Sequence, residues 1–239
     1  AQVDMRRKNH ELYDVKANLQ AIQVGKIIQN KDIGPISAQI YAKGESFDFK
    51  NAKADLKGHV ASAVYKGYRY QNMNLTGKIN RGAYNILLDS EDPNANVKLT
   101  ASGVYDEKNP TIKVNGEVIK LDVNKLGFYE KPMIIAGKID GDFTSIDPDN
   151  LNGYLNLKDF AFSDTKEVYP VQELNLKASS TNDSTKIVFN SQVADVELEG
   201  KYKLTQIFGS LSNTINQYYQ FQKPGKTGKI TAGQFFTFN

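Results

Sequence analysis

The 239-residue chain has no cysteine and no tryptophan, and only two histidines and seven prolines. Without cysteine there is no disulfide framework and no thiolate metal site. His10 and His59 lie 49 residues apart (59 − 10 = 49), and neither has carboxylates at a metal-binding or acid–base spacing. No Gly-x-Gly-x-x-Gly, phosphate-cradling loop or Gly-x-Ser-x-Gly occurs, so nucleotide binding and acyl-enzyme chemistry have no motif to rest on. An enzyme is therefore the least supported class, and no cofactor is implied. No apolar run approaches the roughly 18 residues that cross a bilayer as a helix. An excess of one charge sign is missing too: 30 Lys and Arg face 27 Asp and Glu. The short Arg6-Arg7-Lys8 cluster reads as a solvated end, and without a basic stripe a nucleic-acid partner is excluded.

What the chain has in abundance is period-two alternation. Ile36, Ala38 and Ile40 alternate with polar residues, as do Met73 and Leu75, Ile86 and Leu88, and Val97 and Leu99. The same holds for Ile112 and Val114, Ile135 and Ile139, and Leu155 and Leu157. It continues through Leu174 and Leu176, Ile187 and Phe189, and Val196 and Leu198. Such spacing puts one side-chain set on each face of a sheet, and these residues are the candidate lining of an apolar surface. Turn signals punctuate the runs, among them Asp92-Pro93-Asn94, Asn109-Pro110, Asp147-Pro148-Asp149 and Asn182-Asp183-Ser184. Nine glycines, Gly44, Gly58, Gly77, Gly103, Gly116, Gly137, Gly141, Gly153 and Gly200, sit in or between the runs and read as bends of a curved sheet. Most of the thirteen Tyr and twelve Phe fall in the apolar register; the Tyr65–Tyr70 cluster is left as half-buried edge packing or an interface.

Two features depart from alternation. Leu204, Ile207, Phe208, Leu211 and Ile215 recur at helical spacing and predict an amphipathic helix of about four turns, capped near Thr205, that covers one end of the apolar surface. Its polar face is rich in Asn, Gln and Ser, which suits packing on a sheet better than an anionic membrane. Shorter helices are expected at 21–29 and 123–129. The acidic stretches Asp89-Ser90-Glu91-Asp92 and Asp140–Asp149 lack the ligand order of a calcium loop and read as turns, so no metal is expected.

The chain also repeats itself. Ile22–Ile27 matches Leu121–Leu126 (121 − 22 = 99), Pro35–Gly44 matches Pro132–Gly141 (132 − 35 = 97), and Leu56–Gly58 matches Leu151–Gly153 (151 − 56 = 95). Tyr68–Leu75 matches Tyr169–Leu176 (169 − 68 = 101), Ile86–Ser90 matches Ile187–Ser191 (187 − 86 = 101), and Val97 and Leu99 match Val196 and Leu198 (196 − 97 = 99). The order is kept and the drift falls at turns. The predicted units are 1–106 and 107–203, each a strand, a short helix and about five more strands. Residues 204–239 then hold the amphipathic helix and the start of another strand. Gly233–Phe238 reads as that strand beginning, and with no leader at the front the chain reads as an internal piece of a longer protein.

Several blocks of the second unit carry a family likeness: Phe160-Ala161-Phe162, Tyr169-Pro170-Val171-Gln172-Glu173-Leu174, Ile187–Ser191, and Val196–Tyr202 leading into a helix. With its repeated unit, the chain resembles the TamB branch (translocation and assembly module) of the AsmA-like family, in its Bacteroidetes form. The resemblance covers nearly the whole chain and rests on the order of blocks. It implies an all-β, tandem-repeat, mostly antiparallel sheet with a few short helices, curled into a U-shaped, taco-like trough with an apolar interior. It also implies the periplasm of a Gram-negative bacterium and an inner-membrane anchor outside this chain. The implied partners are phospholipid or other acyl chains, the rest of the same polypeptide, and an outer-membrane assembly barrel met through regions outside this chain. The function so implied is holding or conducting phospholipid between the two membranes. A scaffold that receives outer-membrane strands by β-augmentation is the alternative, and a transmembrane barrel the third reading. The interleaved helices, and Lys138 beside Gly137, argue against the barrel.

Overall fold

A computed structural model of the chain describes residues 2–6, 10–27, 29–106, 109–164, 166–192, 194–205 and 235–238. The alternating segments become one antiparallel sheet whose fourteen strands lie in sequence order. They are β1 (Gln2–Asp4), β2 (Leu12–Gln23), β3 (Ile33–Glu45), β4 (Lys53–Tyr65), β5 (Tyr68–Asn80), β6 (Ala83–Asp92) and β7 (Ala95–Val104). After these come β8 (Ile112–Asp122), β9 (Ile134–Ser145), β10 (Asn152–Ser163), β11 (Val168–Ser180), β12 (Thr185–Ser191), β13 (Asp195–Lys201) and β14 (Phe235–Phe238). Helical structure is slight among the described residues: α1 (Val24–Ile27) follows β2, and a 3-10 turn at Pro148–Asn150 joins β9 to β10.

Local sequence explains the meander. The β4–β5 and β5–β6 hairpins turn through Lys66-Gly67 and Arg81-Gly82, with φ of 47° and 81°, and 49° and 83°. Two consecutive positive φ values make the two-residue turn whose twist matches the flanking strands. Each strand packs chiefly on its sequence neighbours, so the sheet is a single layer. The all-β antiparallel class agrees with the sequence reading. The sheet itself is open and uncurled where the resemblance implies a U: β1 and β14 form its edges and do not pair with one another.

The two repeat units run through the same succession. β2, α1 and β3 to β7 correspond to β8, a turn, and β9 to β13. A register shift lies between Leu19 and Ile22 in β2 and another between Val118 and Leu121 in β8, again 99 residues apart (118 − 19 = 99; 121 − 22 = 99). The shifts belong to a line of irregularities that crosses the sheet through positive-φ residues Ala21, Asn72 and Asp159. Such bulges locally raise the twist of the strands they interrupt.

The expected helices are only partly present. Within 21–29, residues 21–23 still belong to β2 and only Val24–Ile27 is helical. The 123–129 segment is a hydrogen-bonded turn: Gly127 has φ +78°, and Phe128 and Tyr129 both donate to the Val123 carbonyl. That reversal stops the helix after one turn, with Leu126 buried beneath it. A helical turn does begin at Leu204 and Thr205. The Thr205 amide and hydroxyl donate to Asp149 at 3.0 and 2.8 Å, so the cap comes from the β9–β10 connection and not from Thr205 itself. Ile207, Phe208, Leu211 and Ile215 lie outside the described residues.

Aromatic rings cover several of the strand glycines. Gly153 pairs with Phe143 across β9 and β10 and has φ +144°; a Cβ there would stand 2.8 Å from the ring and 2.2 Å from the Asp142 carbonyl oxygen. Gly137 meets Phe160 in the same way. Replacing Gly153 by Ala should therefore lower stability by about 1–3 kcal/mol through backbone strain and crowding. Urea denaturation of the two proteins measures it, and a loss much below that range would mean the ring simply moves aside.

Candidate functional site

Residues paired across an antiparallel ladder project to the same face, so the register assigns every strand side chain to a side. One row runs Ala17, Ile40, Gly58, Leu75, Leu88, Leu99, Gly116, Ile139, Leu157, Leu174 and Ser191, from β2 to β12. A second runs Val15, Ala42, Leu56, Gly77, Ile86, Ala101, Val114, Gly141, Leu155, Leu176, Phe189 and Val196, ending on β13. Leu19, Ala38, Val60, Met73, Ser90, Val97, Val118 and Gly137 form a third. In a fourth, Ile112, Phe143, Gly153, Ala178, Ile187 and Leu198 follow one another. Ile36 and Ile135 extend the same face beyond the bulges, against Ile22 and Leu121.

All the residues singled out from alternation thus share one face, and no charged residue interrupts the rows. Twelve strands at about 4.8 Å spacing make this strip about 50 Å long. The nine strand glycines stand on it too, as the spacing of Gly77, Gly103 and Gly116 within the apolar runs implies.

The face is not sealed by the described residues. Ala38 and Val97 are buried at 3% and 7%, as are Gly77, Ser90, Gly141 and Ala178; Ile40, Leu75 and Ile22 are exposed, and the other positions named in the rows are half-buried. Side chains shield one another along the rows, but no second layer of described residues lies over them.

The opposite face is polar. Ion pairs cross it between Lys43 and Asp14 (3.2 Å), Lys78 and Asp55 (3.5 Å), Lys113 and Asp142 (3.6 Å), and Lys138 and Asp159 (2.9 Å). Lys186 bridges Glu197 and Glu199 at 2.6 and 3.0 Å. Each exposed pair adds little stability, but a charged lattice discourages this side from burying itself. Shallow depressions of about 820, 590 and 640 Å³ are lined mainly by polar-face side chains, so none of them forms an apolar groove.

Polar chemistry concentrates where β5 begins and β6 ends. Asp92, fully buried, accepts from the Tyr68 hydroxyl (2.6 Å) and from the amides of Gln71 (2.8 Å), Asn94 (2.8 Å) and Ala95 (3.0 Å). Asn94 also donates to the Tyr68 oxygen, and Tyr68 packs edge-on against Tyr70. The Tyr65–Tyr70 cluster thereby gains an explanation, as the lid on a structural carboxylate. A buried Asp in a turn looks like any other Asp in a turn, and only its partners betray it. Its oxygens are spent on this network, and among the described residues no three metal-ligating side chains converge. His10 bonds Glu45 at 2.7 Å and His59 bonds Asn74 at 2.9 Å; the two remain apart.

Scans against protein-family models, curated proteins and solved structures return no match.

Two outcomes follow for the network. Asp92→Ala should cost about 3 kcal/mol, because it strands several buried donors at once; urea denaturation checks this. Burial, aided by the bond to Asp92, pushes the Tyr68 hydroxyl up to about 12, and burial alone does the same for Tyr202. A raised folded pKa favours the neutral phenol, so this stabilisation is complete below pH 10 and disappears between pH 10 and 12. The Tyr68→Phe, Tyr202→Phe double variant should lose less stability across that window than the native chain, and an unchanged alkaline slope would contradict it.

Proposed function

We propose that the apolar face holds acyl chains, and that the chain is a phospholipid-holding or phospholipid-conducting segment of a longer envelope protein. The observation that carries this reading is the unbroken run of uncharged, half-exposed rows across β2 to β13. Apolar patches of this extent are rare on soluble monomers unless something binds there. Burial of a methylene contributes about 0.8 kcal/mol whatever its position, so a chain lying across the strands finds similar contacts along the whole strip. The glycines support the reading further, because a face thinned at nine positions bends most easily toward itself. Resemblance to the TamB branch of the AsmA-like family points the same way, and brings with it the periplasm and a partner barrel in the outer membrane.

A second reading has its own observation. β1 covers only Leu12–Asp14 of the twelve-residue β2, so the rest of that outer edge has no strand partner among the described residues. Such an edge is a template for strand addition, as a scaffold for nascent outer-membrane proteins requires.

Native mass spectrometry of the detergent-free chain, followed by lipid extraction, tests the first reading. Phospholipid should co-purify and be lost in Leu176→Arg and Ile135→Glu, with circular dichroism confirming that both variants keep their strands. A lipid-free, monodisperse native protein would overturn it and leave the strand-edge reading.

A further inference from the structure

The two repeat units place the same grid of side chains on the polar face but fill it with opposite charge. In the first unit Lys16 pairs with Tyr41 and Tyr41 with Lys57, while the neighbouring row pairs Asn18, Gln39, His59 and Asn74. The ladder sets β2 to β5 against β8 to β11 at an offset of 99 throughout (115 − 16 = 99), not at the 97, 95 and 101 of the sequence blocks. In the second unit, therefore, Asn115, Asp140 and Asn156 stand where Lys16, Tyr41 and Lys57 do, and Glu117, Lys138, Lys158 and Glu173 take the other row. The first grid is thus free of carboxylates and carries two lysines; the second holds three carboxylates against two lysines.

We propose that the first-unit grid is a binding site for a phosphate-bearing oxyanion. It floors the depression of about 590 Å³ whose lining holds Lys16, Lys57, His59 and amide side chains but no acid. Among the described residues neither lysine has an ion-pair partner: the adjoining Asp14 and Asp55 pair with Lys43 and Lys78, and Asp89 stands one strand beyond the grid, opposite Asn74. Lys16 lies over the Tyr41 ring, 5.8 Å from its centroid, which holds the ammonium near the grid. Asn74 accepts from His59 through its carbonyl oxygen, so its amide hydrogens stay available as donors. Asn18 and Gln39 add further amide donors. A tetrahedral oxyanion, with several acceptor oxygens, suits a surface that offers donors from four adjacent strands. The site lies on the side away from the apolar rows and does not depend on what they hold.

The test is a 1H–15N correlation titration with potassium phosphate against potassium chloride at matched ionic strength. It is run on the native chain, on Lys57→Gln and on Asn18→Glu, which copies the second unit. Saturable shifts confined to the amides around Lys16, Gln39, Lys57 and His59 are expected, with the second grid silent. Affinity should fall about tenfold in either variant, the equivalent of one charge-assisted contact. Shifts matched by chloride, spread over both units, or unchanged in the variants would overturn the site. Glycerol 3-phosphate and phosphatidylglycerol vesicles then distinguish the source. Saturation by the former assigns a free phosphomonoester, and Lys57-dependent co-sedimentation with the latter assigns a lipid headgroup. Leu176→Arg should leave the titration unaltered, so failure of acyl-chain binding and failure of this site are separable.

Discussion

In an antiparallel ladder a slip of one residue sends every side chain of a strand to the opposite face. The described strands pack chiefly on their sequence neighbours, and no second layer of described residues is there to correct such an error. Its division into an apolar side and a charged side depends wholly on the register being kept from β2 to β13. The pairings Leu75–Leu88, Leu88–Leu99 and Leu157–Leu174 hold it from one side, and the Lys43–Asp14 and Lys78–Asp55 bridges from the other. A slip would place lysines among leucines along the whole strand, a penalty far larger than any single contact supplies.

Bulges make this division harder to keep, yet they recur. Each adds a residue to one strand and would reverse the faces beyond it unless the neighbour compensates. Here the neighbours do: Val60 and Ala63 pair with Ala38 and Ile36, then with Met73 and Tyr70. The shift passes from strand to strand and apolar side chains stay on one side past it. Recurrence 99 residues later, at Val118 and Leu121, makes the irregular line part of the repeated unit and not a local accident.

The strands and their antiparallel class were legible because alternation and turn chemistry are short-range signals. The apolar positions named from alternation occupy one face for the same reason. What was not legible depends on distant partners. Nothing near Ala21 in the sequence marks it for φ 50°, since its conformation answers to the strand beside it. Asp92 carries ordinary turn chemistry, and its burial comes from Tyr68, 24 residues away. The expected 123–129 helix does not form because Gly127, at φ +78°, reverses the chain. The curl implied by resemblance is a property of the whole sheet, which is open.

Divergence between the two units separates what the fold demands from what it leaves free. The apolar rows hold apolar residues at matching grid positions in the two copies, Leu56 and Leu155 in one row and Leu75 and Leu174 in another, because any charge there would face the same uncharged strip. Lys16, Asn18, Asn115 and Glu117 are all exposed on the polar side, so the ladder tolerates Lys16 or Asn115, Asn18 or Glu117, at almost no cost in stability. Solvent alone therefore imposes no sign on either grid. A carboxylate-free cluster whose neighbours Asp14 and Asp55 pair with Lys43 and Lys78 leaves positive charge that folding neither needs nor removes. In the proposed oxyanion site it is ligand binding that uses this charge, on the face opposite the one that the hydrophobic pattern makes conspicuous.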